Sequence, residues 1–156
     1  MSAIKAALTA LVISLLAATP AAADAATVEH ITSPAFAERN LPFSQAVRVG
    51  HMLFLSGELG IDPETGKLAP GGIGPETDQI LRNMQATLER AGSSMAEVVK
   101  CTVFLADIDE WAAMNKVYVT YFPGPKPARS ALGTANGIAL GARVELECIA
   151  TVGLDR

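Results

Sequence analysis

Residues 77–105 read TDQILRNMQATLERAGSSMAEVVKCTVFL, and the period of their apolar positions changes partway along. Ile80, Met84, Leu88 and Ala91 recur every three or four residues, which puts one apolar stripe on a helix from about Thr77 to Ala91. Thr77 or Asp78 stands where a side chain caps free backbone N–H groups, and Gly92 is a natural stop. From Glu97 to Leu105 the period falls to two. Val99, Cys101, Val103 and Leu105 alternate with Lys100, Thr102 and Phe104, as on a half-buried strand.

Towards the C-terminus, Asp107 or Asp109 caps a second helix whose face is Trp111, Met114, Tyr118 and Tyr121 or Phe122. These aromatics read as core, and Pro123 ends the helix. A strand through Leu132 to Thr134 is expected after the proline-rich Pro123–Pro127, then a strained or flexible connection at Asn136–Gly141. Val144 to Val152 is a final strand with Val144, Leu146, Cys148 and Ala150 on one face and Glu145, Glu147, Ile149 and Thr151 on the other.

Towards the N-terminus, Met52–Ser56 is an apolar strand ending at Gly57 and preceded by Ala46–Val49 and a turn at Gly50. Asp62-Pro63-Glu64-Thr65-Gly66 is a turn by composition, and Pro70–Pro75 reads as a loop. Asp24–Asn40 is irregular, with a short edge strand at Thr27–Ile31 broken by Pro34. The order is hairpin, helix, strand, helix, strand, strand. It predicts a single α+β domain whose mixed sheet carries two helices on one face.

The first residues, MSAIKAALTALVISLLAATPAAADA, should stand outside that domain. Lys5, an apolar run from Ala6 to Ala18, Pro20 and small residues at Ala21–Ala23 match a secretory leader. The run is shorter than the roughly 20 residues of a membrane-spanning helix. The expected organisation is a signal peptide at 1–25 and one domain at 26–156, located in the periplasm or secreted, with no membrane association once the leader is cleaved; the other reading of the segment is a buried or membrane-anchoring N-terminal helix. The formal charge of −4 argues against a nucleic-acid backbone as partner. The glycines of Pro70–Pro75 lack the terminal Lys-Ser/Thr of a phosphate-binding loop. His30 and His51 are the only histidines, so a structural metal site has no visible ligand set. Cys101 and Cys148 each lie in an apolar strand pattern. They read as two small buried hydrophobes, or as a bridged pair outside the cytoplasm.

Two charges could carry chemistry. Arg129 follows a stiff proline-rich approach, and its planar fork matches a carboxylate. Its other reading is an exposed solubilising arginine. Glu145 sits in an otherwise apolar strand, two residues from Glu147, where burial or like charge would raise its pKa. The alternative is that both glutamates face solvent from a sheet edge.

Pro127-Ala128-Arg129-Ser130, followed by Val144-Glu145-Leu146-Glu147-Cys148-Ile149-Ala150, resembles the reactive intermediate deaminase family, also called the YjgF/YER057c/UK114 family. Met52–Gly57, Asp62–Gly66, Lys100–Leu105 and Met114–Tyr118 follow its order and spacing, so the similarity covers about Ile31 to Val152. The resemblance implies a chorismate-mutase-like (ferredoxin-like) fold and a homotrimer with sites between subunits. It implies hydrolysis of 2-imino acids and related 2-enamines to 2-keto acids and ammonia, without metal, nucleotide or pyridoxal phosphate. By that resemblance Arg129 binds the substrate carboxylate, Glu145 positions water, and Ser56, Gly57 and Asn115 line the pocket. Phe43 stands where many active members have tyrosine, and Ala131 where many have cysteine. Both changes bear on substrate preference and rate. A non-catalytic trimeric binder of small carboxylates is the second reading. A ribonuclease is the third and the weakest, because no basic-aromatic surface is visible.

Overall fold

The structure, a computed structural model, describes residues 27–154. The leader expected at 1–25 lies outside the described residues. The elements are β1 (Val28–Ile31), α1 (Pro34–Ala37), β2 (Ala46–Val49), β3 (Met52–Leu55), β4 (Glu58–Leu59), α2 (Ile73–Arg90), β5 (Val98–Leu105), α3 (Trp111–Tyr118), β6 (Ala128–Gly133) and β7 (Val144–Thr151). The strands form one sheet in the order β1-β2-β3-β7-β5-β6, with β4 also on β7. All pairings are antiparallel except the parallel β5–β6 pair, so the sheet is mixed as expected.

The alternation in β7 sorts its side chains as read: Val144, Leu146, Cys148 and Ala150 are buried, while Glu147 is exposed. Their buried face meets Leu53, Val103 and Leu105 of the sheet and Ile80, Met84 and Leu88 of α2, with Met114 of α3. Both long helices therefore cover one face of the sheet. On the other face stand Phe54 and Leu132, each 43% exposed, with Phe104 and Ile149 between them.

Three local expectations need correction. Helix α2 begins at Ile73, not at Thr77, and takes in Gly74 and Pro75. A proline in the first turn lacks only an N–H that has no helical partner there. Thr77 is consequently no cap: it is buried, and its hydroxyl donates to the Ile73 carbonyl at 2.6 Å. In β5 the register shifts between Val98 and Lys100, so Val98 faces the core and Val99 is exposed. Trp111 is 46% exposed and does not share the core with Met114 and Tyr118. Of the two readings left open for the cysteines, the structure has the bridged pair: Cys101 and Cys148 stand directly opposite each other in β5 and β7 and are joined in a disulfide. Their apolar context was real, since both are buried, but register also brought them into contact.

Candidate active site

Arg129 lies in β6 beside Cys101, and paired residues of neighbouring strands point to the same face. It therefore projects to the helix side. There its guanidinium carbon sits 4.5 Å from the ring centroid of Tyr118 and 5.9 Å from that of Trp111. Cation–π attraction of this kind fixes a guanidinium without consuming its hydrogen-bonding edge. The two salt bridges among the described residues are Arg82–Asp78 and Arg143–Glu110, and neither involves Arg129. Arg129, Asn115 and Tyr118 line a surface pocket of about 540 Å³ with Lys116, Lys126 and Pro127. Ala131, two residues on in β6, shares the helix-side face and packs against the core.

Tyr118 is buried, and its hydroxyl has no hydrogen-bond partner among the described residues. Burial pushes that phenol up to about 12, against the pull of the neighbouring Arg129 charge, so the ring under the guanidinium stays neutral. The sequence reading missed this pairing. Tyr118 sat correctly on the apolar face of its helix, but nothing in that pattern says which cation it meets.

Glu145 projects the other way. It stands opposite Phe104 in β5, three positions along that strand from Cys101, and hence on the face away from the helices. It also stands opposite Leu59 of β4. Strand β7 lies inside the sheet, so Glu145 is not an edge residue. Its carboxylate lies against Gly57: a Cβ built on that glycine would be 1.9 Å from Glu145 Oε1. Burial first, and the charge of Glu147 second, raise the pKa of Glu145 above the ordinary carboxylate value.

The Ser56–Gly57 turn that receives Glu145 is fixed from the N-terminal side. Ser56 Oγ donates to the Ser44 carbonyl at 2.7 Å, and Ser56 N–H to the Gln45 carbonyl at 3.0 Å. Ser56 and Phe43 share a cavity of about 590 Å³ with His30, Phe36 and Val47. Phe43 is half exposed and meets Phe36 edge-on at 5.8 Å between ring centroids.

The chain thus carries two groups of candidate residues. Arg129, Asn115 and Ala131 stand on the helix side of the sheet edge. Glu145 and Gly57 stand on the open side, with Ser56 and Phe43 in the adjoining turn and loop. Within one chain Arg129 and Glu145 occupy opposite faces. No cluster of three or more His, Cys, Asp or Glu residues able to hold a metal occurs among the described residues. No helix among them is long and apolar enough to cross a membrane.

The α+β domain thus presents an arginine supported by two rings on one face of its sheet, and on the other a carboxyl raised by burial against Gly57. The family model described as Endoribonuclease L-PSP matches residues 33–152. The chain belongs to this family, the YjgF/YER057c/UK114 family of reactive intermediate deaminases. It is 45% identical over 112 residues to a 2-iminobutanoate/2-iminopropanoate deaminase of Mus musculus, covering 72% of this chain and 82% of that protein. It is 43% identical over 111 residues to the chloroplastic Reactive Intermediate Deaminase A of Arabidopsis thaliana, covering 71% of this chain and 59% of that longer protein. The crystal structure of RidA from the Antarctic bacterium Psychrobacter sp. PAMC 21119 superposes with a TM-score of 0.69 at 34% identity, covering 83% of this chain and all of that one.

Proposed function

We propose that this protein hydrolyses 2-imino acids, and the related 2-enamines, to 2-keto acids and ammonia. The observation that carries the reading is the fork of Arg129 held on the Tyr118 ring, with no carboxylate paired to it among the described residues. Such a fork takes a substrate carboxylate in two parallel hydrogen bonds and so fixes the adjacent imine carbon. Glu145, raised by burial, holds a water molecule and accepts its proton as the oxygen attacks that carbon. The C=N π pair moves to nitrogen, which takes up a proton, giving the carbinolamine. Protonated Glu145 then returns a proton to nitrogen. The C–N bond breaks, ammonia leaves, and loss of the hydroxyl proton completes the keto group. The balance is one imine and one water consumed, one keto acid and one ammonia formed.

The working unit is a homotrimer with each site between subunits. Support comes from the opposite facing of Arg129 and Glu145, which a second copy reconciles by bringing its own arginine side to the first copy's glutamate side. The exposed Phe54 and Leu132 on the uncovered sheet face offer apolar surface for such an assembly. The protein acts after export. The Met1–Ala25 composition favours this, as does the Cys101–Cys148 bridge, since disulfides persist in oxidising compartments.

Purified protein is assayed on 2-imino acids generated by an amino-acid oxidase, beside R129A and E145A, with mass measured in solution. Rapid imine decay by wild type only, from a trimer, is the expected result. Binding of 2-keto acids without turnover would instead favour the non-catalytic carboxylate binder, for which the missing Phe43 hydroxyl is the supporting feature. Cleavage of RNA by nuclease-free protein would favour the ribonuclease.

A further inference from the structure

Strand β4 is two residues long, yet it backs the Glu145 side of the site. Leu59 stands opposite Glu145, Glu58 opposite Leu146, and both follow directly on Ser56–Gly57. Because side chains alternate along a strand, the two carboxyls part company. Glu145 lies on the open face against Gly57, whereas Glu58 shares the face of the core residue Leu146 and meets α2. There Asn83 Nδ2 donates to Glu58 Oε1 at 3.1 Å, to the Leu59 carbonyl at 3.4 Å and to the Ile61 carbonyl at 2.9 Å. Asn83 Oδ1 in turn accepts from Gln79 Nε2 at 2.8 Å, and the three acceptor oxygens on the β4 side match Nδ2 facing them. Gly60 closes the contact, since a Cβ there would lie 2.7 Å from the Glu76 carbonyl of α2.

One asparagine on α2 therefore ties down three positions of the segment that sets Gly57. A two-residue strand has few ladder bonds with which to hold itself, so this clamp decides how firmly Gly57 abuts Glu145. We propose that Glu58, held by Asn83, is a positioning residue for the Glu145 half of the site, and that its uncharged form is the one that holds. The kinetic consequence rests on the imine-hydrolase reading above; the structural consequence does not.

Burial pushes the Glu58 carboxyl up to about 7, although the Asn83 hydrogen bond and the Arg39 charge pull it down. The charged groups around it are Arg39, beyond α1, and Arg90 on α2, which share with it a cavity of about 540 Å³. Gln45 from the segment before β2 also lines that cavity. Glu145 and Glu147 stand on the other face of β7. Near neutral pH, Glu58 is therefore poised between charged and uncharged. The Asn83 bond by itself favours the ionised carboxylate, but burial outweighs it, so ionisation favours an opening of β4 that lets water reach Glu58.

The test is kcat/KM between pH 5.5 and 9, by ordinary kinetics, for wild type, E58Q and N83A. Wild type is expected to lose activity above about pH 7, by roughly ten-fold per pH unit once Glu58 ionises. E58Q keeps the Asn83 contact without a charge and should match wild type at pH 6 while lacking the alkaline fall. N83A should lose about ten-fold or more across the range. An unchanged alkaline fall in folded E58Q, or full activity in N83A, overturns the proposal. Amide hydrogen exchange across residues 57–61 gives the structural readout, corrected for the intrinsic pH dependence of exchange. Protection should drop between pH 6 and 8 in wild type and hold in E58Q; equal behaviour of the two overturns it. A protein that turns over no imine would sink the functional reading, and the exchange data would still decide the role of Glu58.

Discussion

Glu145 Oε1 occupies the space that a side chain on Gly57 would need, with only 1.9 Å between that oxygen and a Cβ built on the glycine. The backbone there does not require glycine for its own conformation, because Gly57 is not among the residues with positive φ. The requirement is the approach of the carboxylate. G57A should therefore fold but displace Glu145, lowering kcat/KM by about 100-fold, the scale of a 1 Å misplacement. A folded G57A with wild-type turnover would show that Glu145 works from elsewhere.

Arg129 and Tyr118 make a second testable pair. R129K keeps the charge and loses the fork, so kcat/KM should fall by about 100-fold, the value of two charge-assisted hydrogen bonds only partly replaced. Y118A removes the ring under the guanidinium at 4.5 Å and should raise KM with the fold retained. Y118F keeps the ring and removes a buried hydroxyl that has no partner among the described residues. It should leave stability unchanged or higher by about 1 kcal/mol, measured by urea denaturation. A clear loss in Y118F would reveal a partner supplied by another subunit.

The pH dependence has two carboxyl contributions of known sign. Glu145 is raised by burial and then by Glu147, so activity should rise with pH as Glu145 ionises above the ordinary glutamate range. E147Q removes the like charge and should move that acid limb to lower pH. An unmoved limb would mean burial alone sets it. For folding, a raised carboxyl binds its proton more tightly in the native state than in the unfolded one. The stability this gives Glu58 is full below about pH 4.5 and is lost as pH rises through about 7. E58Q should accordingly raise Tm at pH 8 and change it little at pH 4.5.

The Cys101–Cys148 bridge closes 47 residues of sequence and is buried between β5 and β7. Chain-entropy reasoning gives such a loop about 4 kcal/mol, an upper figure because native packing can absorb part of it. The double variant C101A/C148A should lose about 2–4 kcal/mol in denaturant unfolding while keeping the β5–β7 pairing. A variant as stable as the bridged protein would make the bond energetically idle.

Much of the fold could be read from apolar periodicity, because burial of one face is a local pattern. The β7 alternation and the Ile80–Met84–Leu88 stripe were legible for that reason. What failed depended on partners distant in sequence. Val99 was assigned to the core because alternation cannot show a register shift, which only the β7 ladder imposes. Trp111 fell on the helix face by spacing but at its exposed end, where Arg129 meets it. The α2 start was misplaced because Gly74-Pro75 reads as punctuation, although a first helical turn tolerates proline. The cysteines showed their burial but not their contact. Arg129 and Glu145 stood out as charges in stiff or apolar settings, and only the family resemblance gave them roles. Glu58 and Asn83 gave no signal, since their meeting depends on where β4 crosses α2.

Strand β7 is the last strand along the chain and yet lies inside the sheet, between β3 and β5. Residues 144–151 are therefore the only ladder joining the β1–β3 meander to the β5–β6 pair among the described residues. One eight-residue segment at once closes the core, sets Glu145 against Gly57 and places Cys148 opposite Cys101, so a change that weakens its pairing reaches the sheet, the site and the bridge together.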